Sequence, residues 1–146
     1  MNTSKSLIKQ LNYDTLVSKA HLIIMNQDGE VLLVKNEEGA YCLPSTELLP
    51  KTTLENSLRK TMEDKWNIDI GTLTLLGADS GYTNNHFELN TIYYTEDYFT
   101  QKTFDMFDAE SLPIATTQQT KDIVAAYVDG VKVQFMNYLA LHGDIY

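Results

Sequence analysis

Short apolar runs separated by turn residues mark the first part of the chain as strands. Leu16 to Met25 is apolar and β-branched, Asn26-Gln27-Asp28-Gly29 supplies turn chemistry, and Glu30 to Lys35 gives a second strand around Val31-Leu32-Leu33-Val34. Together they predict a hairpin. A further turn at Glu37-Glu38-Gly39 leads to the short apolar piece Tyr41-Cys42-Leu43, which Pro44 stops.

The period then changes. Thr52-x-x-Glu55 is a capping-box pattern, and Leu54, Leu58, Met62 and Trp66 follow at steps of four, tracing one apolar stripe down a helix that ends near Asn67. Residues 68–77 and 86–95 read as strands, the second alternating His86, Glu88, Asn90, Ile92 and Tyr94 against Phe87, Leu89, Thr91 and Tyr93. Beyond a loop holding Phe107 and Leu112-Pro113, the residues Ile123, Tyr127, Val131, Phe135 and Leu139 keep the i, i+4 step through Gly130. They predict one helix from about Thr117 to His142. Residues 4–11 fit a short helix capped by Ser4. Strands, helix, strands, helix indicate a mixed α/β layered domain.

Composition narrows this picture. At 146 residues with 43% hydrophobic positions, the expectation is a single domain over 1–146, with a short N-terminal extension (1–15) and a long C-terminal helix. Cys42 is the one cysteine, which excludes a disulfide scaffold and suits a reducing cytoplasm; inside an apolar strand it reads as a small buried hydrophobe. No secretory leader or membrane span is expected from the sequence, so the protein reads as cytoplasmic, without a membrane partner. The net charge of −9, with no clustering of the basic residues, argues against long nucleic acids as partners.

Residues 43–70, LPSTELLPKTTLENSLRKTMEDKWNIDI, together with the strand and turn before them and the FDAESLP segment at 107–113, resemble a Nudix domain. That resemblance implies an α/β/α sandwich with a mixed sheet between helices. It also implies a box of loop, helix and loop whose glutamates hold Mg²⁺ or Mn²⁺ to hydrolyse a pyrophosphate. The spacing falls on the Nudix frame without a gap, but the chemistry departs from it. Leu43 and Pro44 match, while Ser45 and Thr46 stand for two glycines and Thr52 for the loop glutamate. Lys60-Thr61 stand for Arg-Glu, Asp64-Lys65 for Glu-Glu, and Asn67 for the last glycine. Hard divalent cations need oxygen ligands, and Lys65 puts an ammonium where the cation would bind. The expectation is therefore no metal cofactor and no hydrolysis by the family mechanism.

Candidate site residues follow with their plainer alternatives. Asp64 is a surviving ligand or a solvated helix carboxylate, and Glu63, about 100° around the helix from it, serves a metal only if the site distorts. Lys60 and Lys65 hold a phosphate as point charges, or pair with Glu55, Glu63 or Asp64 on the surface. His86 and Glu88 share a strand face that reads a ligand, or that simply meets water. Tyr41 stacks on a base or packs in the core, and Trp66 packs. Three functions stay open. The chain is a binding or regulatory domain for a nucleotide-like small molecule. Alternatively it is a divergent pyrophosphohydrolase of nucleoside diphosphate derivatives using Glu47, Glu63, Asp64, Glu88 or Glu110, or a structural protein working through its C-terminal helix. That helix, at about 26 residues and ~39 Å, is longer than a compact domain easily covers, so a homodimer is expected.

Overall fold

The computed structural model describes residues 15–83 and 86–141, with the backbone alone at Thr15, at Thr83 and over 132–141. The helix expected at 4–11 lies outside these residues. The chain forms two compact units: Met1–Ile24 with Pro44–Thr103, and Met25–Leu43 with Phe104–Tyr146.

The first unit is built on a four-stranded mixed sheet in the order β5-β1-β8-β7, from β1 (Thr15–Ile24), β5 (Ser45–Glu47), β7 (Thr74–Thr83) and β8 (His86–Thr95). β1 runs parallel to β8 with Lys19 opposite Asn90, while β5 and β7 run antiparallel to their neighbours. Strand alternation gives this sheet two faces of different character. One carries Ala20, Leu22, Ile24 and Tyr93, all buried. Helix α1 (Leu54–Trp66) lies against this face, because Thr46, opposite Ala20, meets Thr61 of the helix with their Oγ1 atoms 2.8 Å apart. Leu58 and Met62 are fully buried there, and truncating such a side chain to alanine typically costs about 2–5 kcal/mol. The stripe is half-buried at its ends, where Leu54 and Trp66 sit.

The helix begins one residue later than the capping-box pattern indicates. Lys51 takes a left-handed turn (φ 61°), which leaves Thr53 extended to accept from Asn56 N and to receive the Ser57 hydroxyl on its carbonyl. At the other end Asn67 is left-handed and donates to Met62 and Glu63 carbonyls, as its position in the sequence implies.

The strand read over 68–77 divides in two. β6 (Ile68–Ile70) pairs with β9 (Tyr98–Thr100), and β7 starts afresh at Thr74 and runs beyond 77 to Thr83. The break falls at Gly71, whose N–H donates to the Asp97 carbonyl so closely that a Cβ would lie 2.0 Å from Asp97 Oδ2. Arg59 of α1 fixes the same corner by donating to the carbonyls of Ile70 and Gly71. β7 carries a bulge between Leu75 and Gly77 and closes the sheet at one end; among the described residues nothing pairs with its outer edge, and 74–82 are exposed throughout.

In the second unit, β2 (Glu30–Leu32) pairs with β10 (Met106–Asp108) and β3 (Val34–Lys35) with β4 (Tyr41–Cys42). The expected hairpin is thus reduced to its turn. Met25 bridges Val31 across Asn26–Glu30, but β1 pairs along its whole length with the ten-residue β8 and, on its other edge, with β5. The single strand expected over 30–35 also divides, since Leu33 donates to the Asp105 carbonyl. Two turns share one construction. In each an asparagine, Asn26 or Asn36, accepts two backbone N–H groups on its Oδ1, and a glycine three residues on, Gly29 or Gly39, takes positive φ. Helix α2 (Gln118–Leu141) runs unbroken through Gly130, and Thr117 receives the N–H of Thr120 at its start.

Candidate functional site

The box positions on α1 make near contacts. Thr61 shares its hydroxyl with Thr46, the residue standing for the second loop glycine. Lys60 and Asp64, one turn apart, form an ion pair of 3.0 Å with both side chains well exposed, 68% and 61%. Lys65 Nζ lies 4.8 Å from the centre of the Trp66 ring. Glu63 lines a shallow cavity of about 240 Å³ together with Asn67, Asp69, Phe99 and Gln101. The donor set on the box face is one carboxylate tied to an ammonium, one hydroxyl engaged by another and a second ammonium. That set does not fit Mg²⁺ or Mn²⁺, which require several anionic or carbonyl oxygens converging on one point. Among the described residues no three His, Cys, Asp or Glu side chains gather as a metal-holding group.

The other face of the four-stranded sheet brings polar groups together across strands. Glu88 Oε2 lies 3.5 Å from Lys19 Nζ on β1 and 3.6 Å from His86 Nε2 on its own strand. These side chains are only 32%, 19% and 28% exposed for Lys19, Glu88 and His86, about half the exposure of the helix pair or less. Deeper on the same face, His21 Nε2 donates to Asn90 Oδ1 at 2.8 Å, both residues being buried. Burial holds the His21 pKa below its usual value of 6.5; the Asn90 hydrogen bond opposes this, and the charges of Lys19, Glu88 and Asp79 act on the ring more weakly. Glu47 stands opposite Lys19 at the edge of the cluster.

The structure therefore joins His86 with Glu88, and α1 with its box residues lies on the reverse face of the sheet. Sequence reading misses Lys19, His21, Asp79 and Asn90 as members of the cluster. The signal for them is a lysine and a histidine at spacing two inside a mostly apolar strand, matched by His86-x-Glu88-x-Asn90. Tyr41 belongs to the second unit, where its ring meets Phe107 edge-on with centres 4.9 Å apart, Lys35 Nζ lies 5.2 Å above it and its hydroxyl donates to Asp105. Glu110 is exposed in the turn after β10, its N–H donating to Asp108 Oδ1. Phe135 and Leu139 lie on the part of α2 described by its backbone alone.

The fold is that of known structures. The MutT Nudix hydrolase from Burkholderia pseudomallei superposes with a TM-score of 0.67 at 18% identity, over 77% of this chain and 98% of that one. The MutT protein from Methanosarcina mazei Go1 does so with a TM-score of 0.65 at 14% identity, over 82% and 97%. For the mutator MutT protein from Bacillus halodurans the TM-score is 0.62 at 11% identity, over 75% and 80%. No protein-family model and no curated protein sequence matches the chain. The fold is thus Nudix-like, a mixed sheet accompanied by helices, as residues 43–70 imply. Among the described residues no helix is long and apolar enough to cross a membrane.

Proposed function

We propose that this Nudix-like domain binds a nucleotide-like small molecule and does so without the divalent metal and the hydrolysis that the family's glutamates support. The observation that carries the reading is the box face itself. Its hydroxyl, carboxylate and ammonium groups are engaged as Thr61 with Thr46, Lys60 with Asp64 and Lys65 over Trp66. A metal-bridged pyrophosphate has no anionic cradle there, whereas the sheet face retains a half-buried arrangement of donors and acceptors suited to recognition. The test is a thermal-shift screen of nucleosides, nucleotides and sugar nucleotides with and without Mg²⁺, because a ligand selective for the folded state raises the midpoint by mass action. Stabilisation indifferent to Mg²⁺ supports a binder. Turnover of a nucleoside diphosphate derivative that survives Asp64→Asn and disappears in Glu88→Gln would replace it with a hydrolase built on carboxylates outside the box.

The same reading includes a homodimer formed through α2, whose 24 residues continue past Gly130. Light scattering at tens of micromolar tests it: a dimer that dissociates in Leu139→Glu while staying folded supports it, and a monomeric parent chain overturns it.

A further inference from the structure

The α1 side of the four-stranded sheet is covered at one end and bare at the other. Under α1, Ala20, Leu22, Ile24 and Tyr93 are buried. The same alternation carried back toward the start of β1 puts Leu16 on this side, and register sets Phe87 of β8 opposite Leu16 and Tyr82 of β7 opposite Phe87. The three make one apolar row across the sheet, with the Tyr82 and Phe87 rings 4.8 Å apart. All are exposed, Leu16 to 66%. Yet β1 and β8 are the two inner strands, and an apolar sheet face is ordinarily buried against a second layer.

The next row inward is low. Ser18 stands opposite Leu89, and Leu89 opposite Ser80. Exposed Leu48, whose N–H donates to the Ser18 carbonyl, closes the row on the β5 side. Small side chains between two taller rows leave a trough that crosses four strands, about 14 Å at ~4.8 Å per strand.

The chain enters the sheet at this bare end, since β1 starts at Thr15, one residue before Leu16. Residues 1–14 lead into it and lie outside the described residues. Their sequence fits a helix over 4–11, about 12 Å long, with Leu7, Ile8 and Leu11 on one side and Lys5 and Lys9 away from them. Asn12, Tyr13 and Asp14 supply turn chemistry and a reach of up to ~10 Å. With Lys5 and Lys9 against Asp14, the segment contributes +1 to the total of −9 and leaves −10 on the rest of the chain, so charge also draws it inward.

We infer that residues 4–11 dock on this face of their own chain, setting Leu7, Ile8 and Leu11 against Leu16, Phe87 and the serine trough as the second layer that α1 does not supply. The tether decides for this occupant over a second copy of the chain. A short linker holds the segment at an effective concentration on the order of millimolar, above that of other molecules in ordinary solution.

The test is NMR on the full-length chain, labelled with ¹⁵N and at its methyl groups, at two concentrations a factor of ten apart. Nuclear Overhauser contacts from the methyls of Leu7, Ile8 and Leu11 to the rings of Phe87 and Tyr82 are expected at both. Ile8→Asp with Leu11→Asp should remove them and shift the amides of Leu16, Ser18, Phe87 and Leu89. Trypsin should cut after Lys9 at least tenfold faster in that variant, because cleavage follows the population of the undocked segment. Phe87→Ser, which changes the face and leaves the segment intact, should accelerate the same cut. Contacts that appear only at the higher concentration assign the face to a second copy and overturn the inference. So do amides that ignore the double substitution, or a parent chain cut after Lys9 as fast as the variant. If Phe87→Ser fails to fold, the double variant decides alone.

Discussion

The exposed face of α1 and the polar face of the sheet hold the same kinds of groups and treat them in opposite ways. On the helix, charges are met by neighbours one turn or one residue away: Lys60 by Asp64, Lys65 by the Trp66 ring. Such contacts come with the helix itself, demand nothing of the rest of the fold, and are worth little in water. On the sheet, His21 and Asn90 are 69 residues apart in sequence, and Lys19 reaches Glu88 from a different strand. Those groups are held in place by strand pairing, out of full contact with water, where a missing partner is expensive. On the helix the local partners come with the sequence spacing; on the sheet only the folded chain assembles them.

The sharpest way to break this comparison is to remove one partner from each region. Asn90→Leu leaves the buried His21 ring without its acceptor and is expected to lower unfolding free energy by about 1–3 kcal/mol in urea titrations. A loss below about 0.5 kcal/mol would mean that the sheet cluster is no more constrained than the helix face.

Restoring the family's charges on the helix gives the next largest effect. Thr52→Glu, Thr61→Glu and Lys65→Glu together should raise Mg²⁺ affinity at least tenfold over the parent chain, about 1.4 kcal/mol, by calorimetry. The fold should survive, with the loss of the Thr46–Thr61 hydrogen bond costing about 1 kcal/mol. A folded triple variant that gains no metal affinity would show that residues 43–70 are not in register with the Nudix frame.

The third effect is a dependence on pH. Burial lowers the His21 pKa below 6.5, so between the folded value and 6.5 the unfolded chain carries the extra proton. The contribution of His21 to stability is therefore complete above about pH 6.5 and is lost progressively as pH falls toward the folded value. Urea midpoints measured at about pH 7.5 and about pH 5.5 should differ less in His21→Gln than in the parent chain. An unchanged difference would place the pH sensitivity elsewhere. Smallest of all, Lys60→Ala should change stability by less than about 0.5 kcal/mol, as an exposed i, i+4 pair implies.

What could be read from the sequence follows the same division between local and distant partners. Helix α1, its Asn67 cap, strand β8 and the span of α2 follow from periodicities that a short window contains. The turns at Asn26 and Asn36 follow from asparagine and glycine at fixed spacing. The pairing order was illegible, because nothing in Thr15–Ile24 says that its partners are residues 45–47 and 86–95. β7 escaped recognition past residue 77 because Gly-Ala-Asp-Ser-Gly has no apolar alternation, its residues being exposed on both faces. For the site, His86 and Glu88 were visible as a pair within one strand. His21 was hidden in an apolar run, and its role depends on Asn90, which only the parallel pairing of β1 with β8 brings alongside.

The outer edge of β7 has a consequence for how the protein behaves in bulk. It presents ten residues of strand with Asp79 as the only charge, no proline or lysine, and Leu75, Leu76 and Tyr82 exposed along it. Edges of that kind are templates for joining strands from other molecules, and most proteins shield them with charge or brevity. Among the described residues nothing covers this edge, and repulsion between copies that each carry −9 contributes to its shielding. Colloidal behaviour is accordingly tied to pH and ionic strength more tightly than folding is. In concentrated solution, mild acid or high salt should bring on strand-mediated aggregation of molecules that are still folded.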